Sequence, residues 1–204
     1  MKALAPYVGG KARHAKWIAA ELDKCEHKCY IEPYCGMASV FFAKQRAKIN
    51  ILNDFNHNIT AIYLALRDCP DELLHLLSLM EYSEDLFYEA NRRLFEPDLS
   101  VARRAAYHLF LLNAGCGRAH NKAVQAHGFT HGIQDICATG ANRHTGNTNR
   151  VLDKYGYHIE ALRCRIQILN RDGMNLVKRF DKPGVLMYID PPYETDKSSG
   201  FGAI

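Results

Sequence analysis

Apolar positions in this chain alternate between short continuous runs and stripes at helical spacing. Ala15, Ile18, Ala19 and Leu22 share one helical face and predict a helix over residues 11–25. The short apolar runs at residues 29–31 and 49–53 read as strands, with a helix-like run at 40–45 between them. Further helices are expected over 59–66, 71–80, 84–95 and 103–112, and Pro70-Asp71-Glu72 is a start signal for the second of these. Between Asn113 and Asn149 the periodicity gives way to Gly, Asn, Thr and His. So long an irregular stretch inside a compact domain is functional or disordered. A helix over 155–164 and a strand over 165–169 follow. The run Val185-Leu186-Met187-Tyr188-Ile189, set between Pro183-Gly184 and Pro191-Pro192, reads as a fully buried strand of a parallel sheet. Strands alternating with helices indicate an α/β fold.

The last strand ends on Asp190-Pro191-Pro192-Tyr193. Ligands of open α/β sheets bind beyond the carboxyl ends of the strands, so Asp190 is delivered to the chemistry. The prolines stiffen the backbone and leave carbonyls without neighbouring N–H groups, and Tyr193 adds an aromatic face. An acceptor pair beside a stacking plate suits a planar amine; a plain strand-ending turn would use the same letters. Upstream, Tyr30-Ile31-Glu32-Pro33-Tyr34-Cys35-Gly36-Met37-Ala38-Ser39 gives strand, small-residue turn and helix, a geometry that lets backbone approach a cofactor. The run at 49–53 then ends on Asp54, where dinucleotide-binding folds place a ribose-binding acid. Gly9-Gly10-Lys11 is not a phosphate loop, because Ala12 replaces the magnesium-binding Ser/Thr and Ala5 the first glycine.

Tyr7-Val8-Gly9-Gly10-Lys11, Glu32-Pro33-Tyr34-Cys35-Gly36, Asn53-Asp54-Phe55-Asn56 and Asp190-Pro191-Pro192-Tyr193 stand in the order and spacing of Dam-type DNA adenine methyltransferases, which this chain resembles over roughly its first 65 and last 40 residues. The resemblance implies a Rossmann-like S-adenosyl-L-methionine-dependent methyltransferase sheet with an inserted, mainly helical target-recognition region. Residues 1–66 and 165–204 would form the two parts of the catalytic domain and 67–164 the insertion. It implies methyl transfer from S-adenosyl-L-methionine to the exocyclic N6 amine of adenine in double-stranded DNA, with the target base flipped from the helix. Asp190 and the Pro191 carbonyl would hold the amine, Pro192 would stiffen the loop, and Tyr193 would stack on the base. Tyr7, Gly10, Lys11, Tyr34, Gly36, Asp54 and Asp190 would surround the cofactor, and Asp172 would receive its adenine amine. For Lys11 and Tyr7 the plain alternatives are a surface lysine and core packing.

Two features depart from the family pattern. Ala38 stands where the second glycine of the cofactor turn is usual. The chain also stops eleven residues after Tyr193, whereas a Dam-type enzyme continues with further strands and helices. The expectation is therefore a sheet lacking its C-terminal strands, completed by a missing segment or a partner chain, with an inactive remnant that binds DNA or a partner as the rival reading. Methylation of RNA or of a protein amide is a third, since related Pro-Pro-Tyr loops serve several planar nitrogens.

Composition narrows the class rather than the reaction. A chain of 204 residues at 48% hydrophobic composition buries a core without disulfide staples. Seven cysteines at irregular spacing point to reduced thiols and a cytoplasmic location. Cys25, His27 and Cys29 hint at zinc, but with no second ligand pair no metal is expected. Net charge is +4, yet residues 101–180 hold twelve Lys and Arg against four Asp and Glu, leaving the remainder net acidic. A phosphate-facing patch has that composition, and so does a solvated helix face. Within the insertion, Arg143-His144-Thr145-Gly146-Asn147 is either a recognition turn or a polar surface loop.

Overall fold

The computed structural model describes residues 3–7, 9–114 and 148–192. Tyr193 and the segment 115–147, including the expected recognition turn, lie outside the described residues. The elements run α1 (Ala15–Leu22), β1 (Cys29–Glu32), α2 (Ser39–Ala43), β2 (Ile49–Asn53), α3 (His57–Asp68), α4 (Pro70–Leu79), α5 (Glu84–Arg93), α6 (Val101–Ala114), α7 (Thr148–Leu162), β3 (Ile166–Leu169), α8 (Gly173–Phe180) and β4 (Val185–Met187). All strand pairs are parallel, in the order β3-β2-β1-β4. The chain thus leaves β1 for β2 and β3 on one side and returns to β4 on the other, which puts the reversal of strand order between β1 and β4. Open α/β sheets bind ligands at that reversal, outside the carboxyl ends of the strands.

The central strands form because their side chains are buried on both faces. Tyr30, Ile31 and Leu52 are wholly inaccessible and Ile51 nearly so. β4 corrects the expectation of a fully buried strand. Its residues are only half-buried, because among the described residues it pairs with β1 alone. The Tyr188 amide nevertheless donates to the Ile31 carbonyl at 2.9 Å, extending the ladder toward Asp190. α1 begins four residues later than the periodicity suggests, after a turn in which the His14 amide donates to the Lys11 carbonyl. α7 begins seven residues earlier than expected.

The helices α3 to α7 share one buried cluster with the sheet, and α6 is buried along almost its whole length. A helix apolar on all sides belongs inside its layer. Arg104 of α6 is therefore no phosphate ligand: its guanidinium is buried and donates to the Leu94 carbonyl at 2.6 Å and the Glu96 carbonyl at 2.7 Å. Lys154 of α7 is also withdrawn, donating to Asn113 Oδ1 at 2.9 Å, and burial lowers its pKa to about 8. The basic composition of residues 101–180 is thus not one surface. The five described cysteines are free thiols. No described helix is long and apolar enough to cross a membrane.

Candidate active site

Three chain segments meet at the carboxyl ends of β1, β2 and β4. The turn after β1 is the most constrained. Gly36 has φ +47°, and a Cβ there would lie 2.9 Å from Cε1 of the Tyr7 ring, so the position accepts only glycine without displacement. Tyr7 therefore packs directly on the backbone of this turn. Burial, and after it the Asp54 and Cys35 side chains, raise the pKa of the Tyr7 phenol and keep it neutral. The Tyr63 hydroxyl donates to the Gly36 carbonyl and fixes the turn from α3.

Asp54, which follows β2, closes the other side. Its Oδ2 accepts from the Gly36 amide at 2.9 Å and its Oδ1 from the Asn56 amide at 2.9 Å. Burial raises its pKa, and the two amide hydrogen bonds oppose that shift. Each carboxylate oxygen has more than one acceptor direction, so Asp54 can still receive hydroxyl donors.

Asp190 arrives from β4 and meets Lys11 from the N-terminal turn. Lys11 Nζ donates to both carboxylate oxygens, at 2.8 Å to Oδ1 and 2.6 Å to Oδ2, and to the Gly9 carbonyl at 2.9 Å. Both side chains are about three-quarters buried, with 24% exposure each. The Gly10 amide donates to the Tyr7 carbonyl at 3.2 Å, which turns the backbone between Tyr7 and Lys11. Pro191 and Pro192 follow Asp190 at the exposed rim.

Tyr34 and Asp172 lie toward β3. The Tyr34 ring rests on Gly173, where a Cβ would stand 2.5 Å from two ring carbons. Asp172 is the N-cap of α8, its Oδ1 accepting from the Asn175 amide at 2.8 Å. That role engages one of its oxygens and needs no ligand.

Sequence reasoning passed over several groups that organise this region. Asn53 donates to the Pro33 carbonyl at 2.7 Å and the Arg171 carbonyl at 2.9 Å, and accepts from the Arg171 amide at 3.0 Å, joining the loops after β1, β2 and β3. Asn170 donates to the carbonyls of Asp54 and Phe55 at 2.8 and 2.9 Å. Glu32 is buried at the end of β1, accepting from the Tyr30 hydroxyl at 2.8 Å, and burial pushes its pKa up to about 8. An amide or acid closing an apolar strand is the only signal these residues carry in the sequence. Ala38 has φ 45° and ψ 37°, the left-handed conformation that glycine adopts without cost. It is buried in the core cluster, so its departure from glycine costs backbone strain while its methyl group packs in the core.

The zinc hint at Cys25, His27 and Cys29 dissolves into a different contact. His27 Nε2 lies 2.8 Å from Lys44 Nζ, and the buried Lys44 is itself paired with Asp23 at 3.0 Å.

Comparison with known proteins points the same way. The chain shares 28% identity over 116 residues with the type II methyltransferase M1.LlaDCHI of Lactococcus lactis subsp. cremoris, a match covering 52% of this chain and 38% of that relative. The chain thus spans well under half of the curated relative. The family described as D12 class N6 adenine-specific DNA methyltransferase matches residues 7–202, nearly the full length. On this match, and with a parallel sheet of the corresponding kind beneath it, the chain belongs to that family.

Proposed function

We propose that the chain transfers a methyl group from S-adenosyl-L-methionine to the N6 amine of adenine in double-stranded DNA. The observation that carries this reading is the meeting of Lys11 and Asp190, 179 positions apart, beside the Tyr7–Gly36–Asp54 turn at the reversal of strand order.

The side chains present suit the cofactor's three parts. Asp54 offers acceptors for a ribose diol, and Tyr7 with Gly36 a close-packed aromatic and backbone wall; Lys11 reaches the cofactor's carboxylate by exchanging one of its three contacts to Asp190 and Gly9. When bound, S-adenosyl-L-methionine supplies a sulfonium-activated methyl group. The protein's own part is to make the adenine amine a nucleophile. Its lone pair is delocalised into the ring, so acceptors for its two hydrogens favour a pyramidal nitrogen and stabilise the positive charge that develops on it. Asp190 and the Pro191 carbonyl fill those positions, and Lys11 fixes the orientation of the carboxylate. Pro192 rigidifies the loop, and Tyr193 stacks on the extruded base, an interaction worth about 1–3 kcal/mol. Asp172 receives the cofactor's adenine amine, and Tyr34 with Gly36 lines the turn by its methionine half.

The test is transfer of tritiated methyl to unmethylated duplex DNA, followed by nucleoside analysis. The expected result is N6-methyladenine formed by the chain and lost in Asp190→Ala. Equal incorporation by the two proteins removes Asp190 from its role. Incorporation into RNA in preference to duplex DNA replaces the substrate.

A further inference from the structure

We propose that the amino ends of the four strands form a second DNA-backbone contact, facing away from the candidate active site. It rests on the reading above only in taking duplex DNA as the polyanion this chain meets. A cation stands immediately before three of the strands, Lys28 before β1, Lys48 before β2 and Arg165 before β3, and Lys182 stands three residues before β4, across the turn that leads into it. The register sets Lys28 level with Lys48 and Arg165 level with Ile49, one position further along, while Lys182 stands two residues before Gly184, which is level with Lys28. The Lys28 amide donates to the Gly184 carbonyl at 2.9 Å, the Ile49 amide to the Lys28 carbonyl at 3.2 Å, and the Asn50 amide to the Arg165 carbonyl at 3.2 Å. Three strand spacings of about 4.8 Å make a row of about 14 Å. One strand of duplex DNA advances one phosphate per roughly 3.4 Å of helix axis, so a row of this length spans several phosphates of a groove-lining backbone.

All four side chains are exposed, and none has an ion-pair partner among the described residues. Lys24 and Arg163, at the same end, are by contrast already paired with Glu21 and Glu160. The exposed acids nearest the row in the chain are Glu26 and Asp181, which leaves the cations in excess. Lys178 and Arg179 add charge there but sit in the last turn of α8, where the helix dipole accounts for them. The four residues of the row lie beyond their preceding helices, and the dipole effect fades within the last turn. Like charges set abreast gain nothing from one another, whereas a phosphate backbone gains from all of them by counterion release. A straight duplex engaged at the carboxyl ends cannot reach this opposite end, so the row takes a separate segment of DNA.

The experiment measures binding of the full chain to a duplex of G·C pairs only, which offers the cleft no adenine, by fluorescence anisotropy between 50 and 200 mM salt. The variant Lys28→Gln/Lys48→Gln/Arg165→Gln/Lys182→Gln is compared with wild type. Loss of four phosphate contacts lowers the slope of log affinity against log salt by about 3 to 4. Wild type should therefore lose about 100-fold more affinity than the variant across that range. The charge-keeping variant Lys28→Arg/Lys48→Arg/Arg165→Lys/Lys182→Arg should behave as wild type. If the fourfold variant fails to fold, Lys48→Gln/Arg165→Gln should lower the slope by about half as much. An unchanged slope overturns the inference, as does failure of wild type to bind the G·C duplex. Lost binding to polyglutamate with the DNA slope intact also overturns it, and assigns the row to an acidic protein. Methyl transfer to saturating adenine-containing duplex should be unchanged in the fourfold variant. If the slope difference appears but no methyl is transferred even by wild type, the second contact stands and the catalytic reading falls.

Discussion

At the carboxyl ends of the strands polar groups answer one another, and at the amino ends four cations face water. Asp54 accepts two amides, Asp190 takes a bidentate ammonium, and Asn53 ties three loops together. Lys28, Lys48, Arg165 and Lys182 do none of this. The carboxyl end also holds the left-handed backbone of Gly36 and Ala38 and the buried acid Glu32. Strained backbone and buried ionisable groups persist only where surrounding structure over-determines them, and such places tend to be functional. One sheet thus carries a preorganised end suited to chemistry and a loosely held end suited to electrostatic attraction.

Substitutions should separate the two ends by the size and kind of their effects. The largest belongs to Asp190→Asn, which removes a charged acceptor yet keeps the shape. It should lower the methyl-transfer rate by about 100- to 1000-fold, read as kcat in the tritium assay, with little change in melting temperature. Next is Gly36→Ala, which forces a Cβ into left-handed backbone against the Tyr7 ring. A loss of about 1–2 kcal/mol in urea unfolding is expected, and no loss would show that the turn relaxes. Ala38→Gly should have the opposite sign, gaining about 0.5–1 kcal/mol as relief of strain outweighs the added freedom of the unfolded chain. The pair sets a steric site against a purely conformational one two residues away.

Glu32 supplies a pH test of the same end. Its pKa is raised in the folded protein to about 8, above the ordinary 4.5 of the unfolded chain. Its stabilising contribution is therefore complete below pH 4.5 and is lost as pH rises toward 8. Glu32→Gln should flatten that part of the wild-type stability profile in urea melts from pH 5 to 9. Parallel profiles would contradict a buried protonated carboxyl. Lys48→Gln, at the amino end, should stay within about 0.5 kcal/mol of wild type.

Much of the carboxyl end was legible in the sequence, because apolar runs and small-residue turns are local. β2 begins and ends where its pattern does, and the four motifs assembled Tyr7, Lys11, Gly36, Asp54 and Asp190 into one region. What could not be read depends on the third dimension. Asn53 links Pro33 with Arg171, and no local pattern announces a link across 118 positions. Arg104 has the same letter as a phosphate ligand, and only its burial in α6 assigns it to carbonyls. Residues 28, 48, 165 and 182 show no periodicity, since topology alone aligns them.

The most direct test of the central claim is calorimetric binding of S-adenosyl-L-methionine to wild type, Asp54→Asn and Lys28→Gln/Lys48→Gln. Loss of a charge-assisted hydrogen bond at Asp54 predicts affinity roughly 10- to 100-fold weaker, while the amino-end variant should bind as wild type does. Undiminished affinity in Asp54→Asn would contradict the placement of the cofactor at the carboxyl ends of the sheet.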